Sequence, residues 1–161
     1  MHATELWSTL SPALNHEILE VAYQNEKKLY RHVMDDVGPN LKIRAKMILE
    51  TPRVARHELF RPFLQLPQFH VVTQNLMILW LATTQVPVMT AFLDSLGIKH
   101  DGVGSVDSFP KEMDATKLTK AVEELYGKFP EEKVTAYLSI FDTISGVSWV
   151  ELPALIRAEK K

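Results

Sequence analysis

The chain has 161 residues, a formal net charge of −2, 46% apolar and 24% charged residues, and no cysteine. That is enough apolar material for one packed domain, and it excludes disulfides, thiol catalysis, Cys-ligated zinc and iron–sulfur clusters within the chain. The weak net charge gives no general attraction to nucleic acid or to anionic membrane.

Met1 to Leu10 lacks a basic stretch followed by an apolar run, so no secretion signal is expected and the expected location is cytoplasmic. Ser11-Pro12 reads as an N-cap followed by proline at the first helical position. Leu14, Ile18, Val21, Ala22, Leu29, Val33 and Val37 then keep a helical period. One long helix is therefore predicted up to Gly38-Pro39. A shorter helix is predicted over Leu41 to Leu49. Another opens at Thr51-Pro52 and ends near Arg61-Pro62.

Pro67 starts a central helix that is apolar on every side from Leu76 to Leu81, as a helix enclosed by others should be. A second central helix runs from Pro87 to Leu96, with Gly97 just past its end. No Asp, Glu, Lys or Arg lies between Arg61 and Asp94, a length that would allow a membrane span. Gln74, Asn75 and Gln85 interrupt that stretch and Pro87 divides it, so a buried hairpin is expected instead. Asp114 caps the next predicted helix, which ends at Gly127. Pro130, Glu131 and Glu132 open another, with acids facing the positive end of its dipole. That helix carries Val134, Tyr137, Leu138 and Phe141. Ser148-x-x-Glu151 has the spacing of a capping box for a last helix. No alternating strand pattern occurs.

The longest break, Ile98 to Met113, contains Gly102, Gly104 and Pro110; connections this long tend to carry function or disorder. Leu66-Pro67, Phe109-Pro110 and Leu152-Pro153 are spaced 43 residues apart both times, and Thr90-Ala91-Phe92-Leu93 matches Thr135-Ala136-Tyr137-Leu138 at an offset of 45. This pattern suggests a duplicated helical hairpin, with Phe92 and Tyr137 both facing the core.

Four groups of polar residues are candidates for chemistry. Asn25, His32 and Asp36 fall on one side of the long first helix, with His32 and Asp36 a turn apart. His70 and Gln74 are a turn apart on the central helix and need partners if buried. Together these five would line a ligand pocket. His16 and Glu20 have a spacing that could hold a metal, but two ligands do not make a site, so no metal and no cofactor is expected. Asp101 to Asp107 resembles a calcium loop only superficially, with Val where an oxygen ligand or glycine belongs and no closing Glu.

From Leu41 to Arg61 the six bases Lys42, Arg44, Lys46, Arg53, Arg56 and Arg61 face only Glu50 and Glu58. Arg44, Lys46, Arg53 and Arg56 form the candidate basic patch, with His57 beside them. Arg53 and Arg56 are expected in solvent, so reversing their charge should leave the fold intact.

The expected fold is all-α: a single-domain bundle of about seven or eight helices that includes the duplicated hairpin. Its parts are N-terminal helices with the basic segment (11–66), a first hairpin and long loop (67–110), and a second hairpin with a C-terminal helix (111–161). With no catalytic motif in view, the leading expectation is a non-enzymatic module that binds a protein partner. The alternative is a small-molecule binder or enzyme with a pocket between the central helices. The third reading is a nucleic-acid-binding regulator, which the net charge disfavours.

Overall fold

A computed structural model describes residues 2–157. All its regular elements are helical, with ten α-helices and no strand among the described residues. They divide into two packed units, the first ending at Trp80 and the second beginning at Leu81. The boundary between them falls inside the central helix.

The first unit opens with a helix absent from the sequence prediction, α1 (Ala3–Thr9). Its signal was Glu5, three residues after His2, whose carboxylate accepts from the His2 backbone N–H at 2.9 Å. Trp7 is 1% exposed, and its indole N–H donates to the Arg61 carbonyl at 3.1 Å. α2 (Pro12–Asn25) begins as predicted, with Ser11 Oγ accepting from the Leu14 N–H at 3.1 Å.

The long first helix is in fact two. Glu26 leaves the helical region at φ −140° and ψ 81°, and α3 (Lys27–Val37) restarts beyond it. Asn25 favours the break, because its side-chain amide bonds back to the Val21 carbonyl at 2.9 Å and competes with the regular ladder. The apolar period survives on both sides, which is why the pattern looked continuous.

A 3₁₀ turn (Gly38–Leu41) leads into α4 (Ala45–Glu50), shorter than predicted, and then α5 (Arg53–Leu64). α5 runs past Pro62, two residues beyond the predicted stop. In its last turn proline removes one ladder bond and no more. A 3₁₀ turn at Pro67–Phe69 opens α6 (His70–Thr84). Buried Ile18, Leu19, Val33, Phe60, Leu64 and Leu76 form the heart of this unit. α6 is not enclosed on every side as expected, since Ile78 is 39% exposed. No single helix among the described residues is long and apolar enough to cross a membrane.

The second unit contains α7 (Val86–Ser95), α8 (Ala115–Lys128), α9 (Glu131–Ile144) and α10 (Leu152–Leu155). Asp114 caps α8 as predicted, accepting from the Lys117 N–H at 2.8 Å. The capping box at Ser148 does not form. The N-cap of α10 is Glu151, because Pro153 fits the first turn of a helix that starts just before it. Phe92 and Tyr137 are both buried, and they pack edge-on against each other at 5.7 Å. The duplicated hairpin is not confirmed: the unit boundary cuts α6, so the first of the two supposed hairpins is not self-contained.

The long loop is tied down rather than loose. Phe109 packs edge-on against Phe141 at 5.3 Å, and Trp149 donates to the Pro110 carbonyl at 3.0 Å. The Asp101 carboxylate accepts from the Val103 and Ser105 N–H groups at 2.9 and 3.0 Å, which holds it below the usual carboxylate range. One oxygen, Oδ1, takes both bonds and so organises the turn. Gly102 and Gly104 both sit at φ 92°, and a Cβ on Gly104 would lie 3.1 Å from Met89 Cε. Gly104→Ala should therefore lower the unfolding free energy by about 1–3 kcal/mol in urea titrations. Gly102→Ala, which meets no neighbouring atom, should cost less.

Candidate functional site

The residues of the predicted pocket do not converge. Asn25 ends α2, and its amide is spent on its own helix. His32 and Asp36 lie on the exposed face of α3, opposite Tyr30, Val33 and Val37. The break at Glu26 removes the shared face that had grouped them with Asn25. His70 is exposed at the start of α6, and Gln74 is half-buried. The buried polar residue of that turn is instead Thr73, whose hydroxyl donates to the Leu64 carbonyl at 2.8 Å.

The basic patch also separates. Arg44 and Lys46 are exposed, the latter 3.8 Å from Glu50. Arg53 is exposed but engaged: its Nε donates to Glu20 Oε1 at 2.8 Å, and its guanidinium lies 4.3 Å over the Tyr23 ring. Arg56 contradicts the expectation of a solvated side chain, being only 7% exposed. The reason is the end of α4. Arg56 Nε donates to the Ile48 carbonyl at 3.0 Å, and Nη2 donates to the Leu49 and Thr51 carbonyls at 2.8 and 3.1 Å. A cation there satisfies the orphan oxygens and meets the negative end of the helix dipole.

Arg56 leads into a buried polar network that joins α2, α3 and α5. Its Nη1 donates to the Tyr30 hydroxyl at 3.3 Å. The Tyr30 hydroxyl is 2.9 Å from His57 Nε2, and His57 Nδ1 is 2.8 Å from His16 Nδ1. Chemistry orders the protons along this chain. Arg56 can only donate. Burial pushes the Tyr30 phenol up against the opposing pull of Arg56, so its own proton is retained. That proton faces His57 Nε2, which accepts. His57 then carries its proton on Nδ1 and donates to His16.

Burial holds His57 down to about 4, reinforced by the electrostatic influence of His16, Arg56 and Arg53, with Glu20 opposing. At neutral pH the ring is uncharged. Glu20, a turn beyond His16 on α2, completes the cluster. Burial would raise its carboxyl, but the Arg53 hydrogen bond and charge more than offset this and leave it below its ordinary value.

His16, Glu20 and His57 each offer one ligand atom, all within 4.8 Å of one another. The sequence reading had two of the three. In sequence His57 stands out only as a neighbour of Arg53 and Arg56; the signal that places it is its phase on α5. Arg56, His57, Phe60 and Leu64 form the inward face of that helix, which turns His57 toward α2.

Comparison with known proteins gives no kinship: no family model matches the chain, and neither a curated protein nor a solved structure is significantly similar to it.

Proposed function

We propose that the chain is a protein-binding module that docks an acidic, amphipathic segment of a partner on residues 42–59. One observation carries this reading. Ile43, Met47, Leu49, Val54 and Leu59 are 39%, 54%, 60%, 65% and 38% exposed, a concentration of large apolar side chains around α4 and the start of α5. Solvent-facing apolar side chains gathered in one segment mark interaction surfaces more often than singly scattered ones do. Lys42, Arg44 and Lys46 are interspersed with them, so the fitting partner adds carboxylates to an apolar face.

Arg56 supports the same reading. A six-residue helix is too short to persist alone. Its C-terminal carbonyls are held by a buried side chain, so the segment stays ordered while its outer side chains remain uncommitted. The apolar contribution comes from Ile43, Met47 and Leu49, since the nearby Phe60 and Phe63 are buried and half-buried.

A photo-crosslinking residue at Met47 tests the proposal against a control at Ile144, exposed in the second unit. Adducts specific to position 47 should map by mass spectrometry to acidic amphipathic segments. Leu49→Glu should abolish them with circular dichroism unchanged, and Arg44→Glu should weaken them mainly at low salt. Identical adducts at both positions would refute the docking surface. So would adducts only to anionic lipid or nucleic acid.

A further inference from the structure

We propose that His16, Glu20 and His57 form a binding site for a divalent transition metal of the zinc type. Two imidazoles and a carboxylate are a ligand set suited to such ions, with further positions left for water or an anion. Hard oxygen-seeking ions such as Mg²⁺ are poorly served by it.

Three features of the cluster favour an ion over a purely structural contact. First, the three ligand atoms already lie within 4.8 Å of one another, on two rigid helices rather than on loops. The two Nδ1 atoms, 2.8 Å apart, need to part by only about half an ångström to share an ion at ordinary Zn–N distances. His16 is half-buried and has room to yield. Second, His57 has a fixed outer partner. When Nδ1 binds a metal, the ring proton moves to Nε2 and points at the Tyr30 oxygen, which Arg56 holds in place. Both imidazoles stay neutral; the tautomer of His57 changes, and the Tyr30 hydroxyl turns its own proton away from Nε2 so that its oxygen accepts. Third, a cation already occupies the mouth of the cluster. The Arg53 guanidinium binds Glu20 on a side chain that is 44% exposed, where it can be displaced.

The test uses untagged, chelator-treated full-length protein titrated with Zn²⁺ by calorimetry. One ion per chain should bind, and Mg²⁺ should not compete. His16→Ala and Glu20→Gln should each weaken binding by more than about tenfold. Their circular dichroism should be unchanged, because neither side chain is fully buried. Arg53→Ala should tighten binding by releasing Glu20, an effect that a general loss of structure would not produce. Nitrogen NMR of His57 should report the proton moving from Nδ1 to Nε2 when Zn²⁺ is added. Absence of binding would overturn the proposal. So would binding unchanged in both ligand variants, which would place the ion on exposed histidines such as His2, His32 or His70.

Discussion

In metal-free protein the unfolding free energy should fall by about 3 kcal/mol through His57 alone as the pH is lowered from 6.5 toward 4. The magnitude follows from the shift of the ring from its ordinary value of 6.5 to about 4, at about 1.4 kcal/mol per unit. The direction follows from linkage. In this window the unfolded chain takes up a proton that the folded chain refuses, so stability rises with pH. The contribution is complete above pH 6.5, declines through the window and levels off below 4. Glu20 acts in the same sense at the acid end, because its folded value is also depressed. Urea titrations at several pH values in EDTA would measure the slope. His57→Asn should lower stability at pH 7 yet flatten the slope. A wild-type curve already flat between pH 6.5 and 4 would contradict a buried neutral imidazole.

Replacing Arg56 should be the most damaging single substitution in the basic segment. Arg56→Met removes the side-chain donor to the Ile48, Leu49 and Thr51 carbonyls and to the Tyr30 hydroxyl, of which the Ile48 carbonyl keeps the Thr51 N–H at 3.2 Å. Loss of about 2–4 kcal/mol is expected from removing four charge-assisted hydrogen bonds at once, two of them buried. Arg56→Lys should recover little, because a single ammonium cannot reproduce a planar fork spread over four oxygens. Arg53→Ala should leave stability almost unchanged, as its pair with Glu20 faces water. The charge reversal that sequence alone treats as harmless at both positions is harmless, on this account, only at Arg53.

Arg53 and Arg56 also show where sequence reasoning ends. Helix starts and stops were legible because they depend on local chemistry: Ser11, Asp114, Gly97 and Pro130 act on their own neighbours. The all-α class follows from that, with the 3.6-residue period. Lateral information was not legible. Arg53 and Arg56 differ by three positions, yet one faces solvent and the other the end of α4, because inward phase on α5 is set by Phe60 and Leu64. The break at Glu26 was hidden, since an apolar period continues through it. It matters to the site because α3, restarted there, carries Tyr30 to His57. His16 and Glu20 were visible as a pair by their spacing on one helix. Their third member lies 37 positions beyond Glu20, and only packing of α5 on α2 brings it in.

The neutral, directionally bonded His57 stands at the centre of the buried network, and nitrogen NMR of the selectively labelled ring reads it most directly. In metal-free protein the ring should be a neutral Nδ1–H tautomer, bonded at both nitrogens and holding off protonation until about pH 4. An Nε2–H tautomer that titrates near the ordinary value of 6.5 would contradict it.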